Sequence, residues 1–307
     1  MPTPRASIIA GPARITFKGQ TLFSQDDIRV STLVRAFEVR TSGRPAQRRE
    51  DETRVELTFT PNGVWAPVCA LVQAFAALSV GQDVFGDADS PVIIESTDGK
   101  TYTYAAGALT APPEIVFSAG RTLFGPLTLS AVGANNSAPT APGRRVTVAA
   151  GVYPAGSDGY DPAAVITQPY TLSWGNAAAW INLETEAGVT VAFQPTFAPR
   201  RVDGAGIIGL RLVDLTVTAR ARPLDVADAD VLAALKILGA GAGRGRALGV
   251  PGQDLVVSGA GVYARLYAAG LEAGRSEFGG AVNRVGELTW CAGGMVTPLC
   301  FLGTASP

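Results

Sequence analysis

The chain has no histidine in 307 residues, and only three lysines, three cysteines and two methionines. Each shortage excludes something. Without histidine there is no Ser-His-Asp triad, no imidazole ligand for zinc, and no side chain whose ordinary titration lies near neutral pH. Cys69, Cys291 and Cys300 are odd in number and none belongs to a C-x-x-C pair. Three buried thiols are therefore expected, not a disulfide framework. Net charge is −1, with no basic tail or long charge block, which gives no basis for gripping nucleic acid. No apolar run approaches the roughly 18 residues of a membrane helix, and MPTPRASIIAGPARI lacks the apolar centre of a secretory leader. What is abundant is apolar residues (47%), glycine (36) and proline (21). A packed core is within reach, and frequent turn signals point towards β structure. At roughly 100–200 residues per domain, two domains are expected.

The sequence repeats itself. YAAG occurs at Tyr104–Gly107 and again at Tyr267–Gly270. Upstream, RVELTFT (Arg54–Thr60) alternates Val55, Leu57 and Phe59 with Glu56, Thr58 and Thr60. LVDLTVT (Leu212–Thr218) does the same with Val213, Leu215 and Val217 against Asp214, Thr216 and Thr218. Both read as half-buried strands. A helix is expected after each. APVCALVQAFAALSVG sets Val68, Leu71, Val72, Phe75 and Leu78 on one stripe, with Pro67 in the first turn and Gly81 beyond the end. DADVLAALKILG sets Val231, Leu232, Leu235 and Leu238 together, capped by Asp228 or Asp230 and stopped by Gly239. PVIIES (Pro91–Ser96) and DLVVSG (Asp254–Gly259) are short apolar strands leading into the turns TDGK and GAG. FGPLTLSA (Phe124–Ala131) matches VGELTWCA (Val285–Ala292).

Five matches in one order imply internal duplication. The expected fold is mainly β: two tandem antiparallel β-sandwich or barrel domains, each with one flanking α-helix. Residues 1–133 form the first module, 134–145 a polar, proline-rich linker, and 146–307 the second module. YPAGSDGYDP (Tyr153–Pro162) reads as a loop added to the second copy.

Motifs that carry chemistry are weak. DGKT (Asp98–Thr101) ends like a phosphate loop but lacks its leading glycine and sits in a hairpin. GAGAGRGRALG (Gly239–Gly249) has no G-x-G-x-x-G register and follows a helix. DVADAD (Asp225–Asp230) lacks the glycine and late glutamate of a calcium loop, and suits helix capping. No carboxylate pair, activated nucleophile or metal cluster emerges. No catalytic, cofactor-binding or metal residue is expected, and the chain is not read as an enzyme. The densest charge lies in RTSGRPAQRREDETR: Arg40, Arg44, Arg48, Arg49 and Arg54 with Glu50, Asp51 and Glu52. It reads as a long loop between two strands, either a solvated surface or a partner contact.

A strand leading into FEVRTSGRPAQRREDE, then TRVELTFTPNGVW, then a flanking helix resembles the tail tube proteins of tailed bacteriophages. With the duplication, the chain is similar to the variety that carries two tube modules. The resemblance implies homo-oligomeric rings, six modules from three chains, stacked into a conduit through which DNA passes without tight binding. It implies other tail proteins as partners, no membrane, and residence in the virion tail after assembly in the host cytoplasm. A scarcity of lysine and a slightly acidic balance suit such a wall. Glu56, Thr58, Thr60, Asp214, Thr216 and Thr218 are the expected bore-lining set. The Arg40–Arg54 stretch is the expected contact between rings. The alternatives are a two-domain carbohydrate- or adhesin-type β-sandwich, or another tail or baseplate component.

Overall fold

The structure, a computed structural model, describes residues 6–39, 47–85, 90–118, 121–131, 146–153, 170–176, 179–202, 206–223, 253–259, 261–279, 282–293 and 298–307. It is mainly β, with four antiparallel sheets and, among the described residues, one helix. Sheet 1 has the spatial order β1 (Ala6–Ile9), β4 (Ile28–Val39), β5 (Gln47–Phe59), β11 (Leu127–Ala131), β8 (Gly107–Ala111). Sheet 2 runs β3 (Gln20–Phe23), β2 (Ala13–Phe17), β6 (Val92–Ser96), β7 (Lys100–Tyr104), β12 (Val146–Ala150). Sheet 3 runs β10 (Arg121–Phe124), β9 (Ile115–Ser118), β15 (Thr185–Val202), β16 (Gly206–Pro223), β20 (Val282–Cys291), β19 (Gly270–Gly279). Sheet 4 runs β14 (Ala179–Leu183), β13 (Thr171–Asn176), β17 (Asp254–Gly259), β18 (Val262–Leu266), β21 (Cys300–Gly303).

The strand orders coincide in pairs. β4-β5-β11-β8 follows the same chain logic as β15-β16-β20-β19, and β3-β2-β6-β7-β12 the same as β14-β13-β17-β18-β21. β12, the first strand after the expected linker, pairs with β7 and so stands where β21 stands on β18. Ser130 lies opposite Glu56, and Cys291 opposite Thr218, so Glu56 shares its rung with Thr218 and not with Asp214. The sequence match between RVELTFT and LVDLTVT is thus four residues out of register. An alternating pattern has a period of two, so an even slip leaves every side chain on its proper face and cannot be detected from the pattern.

YAAG behaves similarly. Its letters repeat 163 residues apart, but the backbone repeats at 162: Ala106 has φ 52° and Ala268 φ 49°. The turn glycines Gly99 (φ 77°) and Gly261 (φ 70°) keep the same spacing. The left-handed turn is what recurs, and the tetrapeptide lies one residue out of phase with it.

Helix α1 (Trp65–Ala76) buries Val68, Leu71, Val72 and Phe75, the expected stripe, together with Trp65 and Cys69. Leu78 falls just past its end and packs partly buried against the core. The helix lies on β3 and β21. Trp65 Nε1 donates to the carbonyl of Gly303 at 3.0 Å, and Leu302 N donates to Gln73 Oε1 at 2.6 Å. These bonds tie the helix to the backbone of β21, the terminal strand of sheet 4. One apolar core runs through all four sheets, from Ile15 and Leu57 to Phe117, Leu255 and Trp290. The second expected helix, the expected linker 134–145 and the glycine-rich stretch 239–249 lie outside the described residues.

The three cysteines are free, as expected, and Cys69 and Cys300 are buried where α1 meets β21. Burial pushes the Cys69 thiol up to about 11 and the Cys300 thiol up to about 12. Burial, then Glu272 and Asp214, also raise that of half-buried Cys291. A raised thiol pKa leaves the unreactive protonated form dominant at pH 8. Titration of native protein with a thiol-specific disulfide reagent at pH 8 should therefore label Cys291 slowly and the other two not at all. Denaturant should release all three; rapid labelling of more than one native thiol would contradict the burial.

Candidate assembly surfaces

The apolar faces of β5 and β11 enter the core, and their other faces form a hydroxyl-rich band. Thr58 Oγ1 and Thr128 Oγ1 are 3.1 Å apart, and Thr110 Oγ1 bonds beneath the band to the fully buried Ser130 Oγ at 2.9 Å. Arg54 Nη2 donates to Glu56 Oε1 at 2.9 Å. Glu56, Thr58 and Thr60 are half-buried. The hydroxyls bond to each other across strands, which leaves few free donors for a passing anion.

Sheet 3 departs from expectation. Asp214 is exposed and Thr216 half-buried, but Thr218 is only 9% exposed and is no part of an open face. Val213, expected inside, is 46% exposed. The cause is a bulge: the β15–β16 register passes from Thr196↔Asp214 to Phe197↔Leu212, leaving Val213 unpaired and turned outward. Arg220 and Arg222 continue the polar face and are exposed, and the sequence reading missed both. Arg220 Nη2 lies 3.8 Å from Glu114 Oε1, an exposed pair that contributes little to stability.

The charged stretch is not the long loop expected between two strands. β4 and β5 pair as far as Val39↔Gln47, so Arg48, Arg49, Glu50, Asp51, Glu52 and Arg54 stand on β5 as part of a hairpin arm. Arg40 and Arg44 lie outside the described residues. In this register Arg35 stands opposite Glu52, and Glu38 opposite Arg48. β15 and β16 form a second long arm, paired as far as Val202↔Gly206.

β8–β9 and β10–β11 are one hairpin with a bend. β8 pairs with β11, and β9 with β10. Between them lie Pro112 and Pro113 on one side and Gly125-Pro126 on the other. Proline cannot donate to a ladder, so pairing stops and the outer half leaves sheet 1. It joins sheet 3: Ile115↔Val191, Val116↔Thr190 and Phe117↔Val189. Phe117 is fully buried, its ring edge-on to Trp65 (5.8 Å) and Tyr170 (5.4 Å). Tyr170 in turn bonds Thr122 through hydroxyls 2.7 Å apart. Gly188 (φ 85°) makes room for this approach, since a Cβ there would overlap the carbonyl of Phe117. Gly188→Ala should destabilise the protein by roughly 2–3 kcal/mol, from positive-φ strain and a displaced strand. Urea unfolding and hydrogen exchange at residues 115–124 would show it; unchanged protection there would contradict this role for Gly188.

Two ends of this strand system are unpaired. Among the described residues, β19 pairs only with β20 and closes sheet 3, and β4 beyond Ser31 has no second strand beside it.

The remaining polar clusters are structural. Asp98 accepts from Tyr102 OH at 2.9 Å and from Lys100 N at 3.0 Å, so DGKT serves as a hairpin turn. Slight burial works to raise the pKa of Asp98, but these bonds, with those from Ser96 and the Lys100 charge, hold it below the ordinary carboxylate value. Asp254, which sequence reading also missed, is 3% exposed. Its Oδ1 accepts from Ala268 N at 2.8 Å, and its Oδ2 from Arg265 Nε at 2.8 Å and Nη2 at 2.5 Å. Among the described residues no three His, Cys, Asp or Glu side chains gather as a metal site, and no helix is long and apolar enough to cross a membrane. No protein-family model matches the chain and no curated protein matches its sequence.

Proposed function

We propose that this protein is a structural subunit of a bacteriophage tail tube. Two tandem modules in each chain join those of sister copies, three chains close a ring of six modules, and rings stack into a conduit for DNA. The single observation that carries the reading is the β9–β15 junction. One set of strands is already joined to its counterpart set by strand addition, with matching strand order on either side. The same contact made again between chains is head-to-tail, and a head-to-tail contact closes into a ring or runs on as a filament. The outer edge of β4, covered by β1 as far as Ser31, and the terminal strand β19 would supply its two halves. On this reading the first module extends through β12, to Ala150.

The polar faces of sheets 1 and 3 would line the bore, with Glu56, Thr58, Thr60, Asp214 and Thr216 accessible there. Thr218 is buried and is left out. Mutually bonded hydroxyls and mixed charge give a surface that does not hold phosphate. The β4–β5 and β15–β16 arms would reach the next ring. Negative-stain electron microscopy of the purified chain should show annular particles or tubes with a central hole. A population of compact monomers at all concentrations would reject the proposal.

A further inference from the structure

Two hairpin tips hold the same place in the strand pattern, and among the described residues only the first is added to a further strand. In the first, Ile115↔Phe124, Val116↔Leu123 and Phe117↔Thr122 lead to Ser118↔Arg121. In the second, Ser276↔Val285, Glu277↔Arg284 and Phe278↔Asn283 lead to Gly279↔Val282. The strands are separated by two residues in each case, and Phe278 holds the register position of Phe117. The first tip is added to β15 at Val189–Val191. Val191 stands opposite Ala219 as Val30 stands opposite Leu57, so the counterpart of that landing site is Ile28–Val30 on β4.

β1 occupies that site. Ile9↔Ile28, Ile8↔Arg29 and Ser7↔Val30 run in the same direction, on the same rungs, as β9 on β15. It is held less firmly. On matched rungs Ile9 and Phe117 are both buried, but Ser7 is exposed where Ile115 is fully buried, and Ile8 is 69% exposed where Val116 is half-buried.

We propose that β1 is a stand-in strand: on assembly, the tip Ser276–Gly279 of a second copy displaces it and adds to β4, closing the ring by strand exchange. This rests on the ring-forming reading and specifies its contact. The shared register then sets Phe278 opposite Ile28 and Glu277 opposite Arg29. A carboxylate meets an exposed guanidinium where the present occupant is an exposed isoleucine. Facing opposite charges favour a strand pair, and a covered edge in the free chain protects it from unspecific pairing until the correct tip arrives.

The test uses the full chain carrying Glu277→Arg, Arg29→Glu, or both, with assembly followed by light scattering across concentration. Each single change should raise the half-assembly concentration about tenfold or more, and the double change should return it towards wild type. A variant lacking residues 1–9 should assemble at a concentration about tenfold lower; if it loses its fold by circular dichroism, the charge swap decides alone. Wild-type rings together with single variants that assemble normally would overturn the exchange and leave the ring reading standing. So would equal midpoints for the truncated and full chains. Wild-type and truncated chains that both remain monomeric would overturn both.

Discussion

Asp254→Ala is expected to destabilise the protein by about 3 kcal/mol, the largest loss from any single polar side chain described above. Three bonds converge on this carboxylate, and two different penalties follow from its removal. Ala268 N–H, in a buried turn at φ 49°, loses its only acceptor in that turn and cannot reach water. Arg265 loses its partner but is 30% exposed and lies 5.1 Å from the Tyr267 ring, so water and the ring recover part of that loss. The backbone donor therefore dominates, and the β17–β18 end of sheet 4 should loosen first. Urea unfolding with hydrogen exchange would measure both effects. A loss under about 1 kcal/mol would mean that the turn holds without the carboxylate.

Shortening the β4–β5 arm by removing residues 43–51 is expected to abolish long tubes while leaving rings intact. Val30, Val55, Leu57 and Phe59, core residues on these two strands, lie at the other end of the arm from the deleted segment. Folding should survive, because the deletion leaves Val30, Val55, Leu57 and Phe59 in the core. The arm's charges, Arg48, Arg49, Glu50, Asp51 and Glu52, are in excess of what a hairpin needs to stay soluble, and their mixed sign suits a complementary neighbour. Electron microscopy would read the outcome directly. Full-length tubes from the shortened chain would remove this arm from the contact between rings.

Much of this architecture was legible in the sequence because it depends on period and punctuation. Val55, Leu57 and Phe59 alternate into the core, the α1 stripe is buried, and the turns at Gly99 and Gly261 fall where Asp-Gly and Gly-Ala-Gly put them. What was hidden depends on a partner strand. The Arg48–Glu52 run looks like a loop until Arg35 and Glu38 stand opposite it. The four-residue slip between Glu56 and Asp214 is invisible to a two-residue pattern. Val213 faces outward because of a bulge that only pairing with β15 reveals. The bend that carries β9 away from sheet 1 had a visible cause in Pro112, Pro113 and Pro126, yet its destination did not. Asp254 gave no local sign, since its partners Arg265 and Ala268 lie beyond the next turn.

The central claim is that the chain's two strand sets are halves of one repeating contact, completed by sister copies. Native mass spectrometry of the purified protein, taken above its assembly concentration, tests this most directly. The account predicts a closed trimer of about 95 kDa, three times the 31.6 kDa chain, and whole multiples of it as rings stack. A mass that stays at one chain, or a symmetric dimer burying β4 against β4, would contradict it.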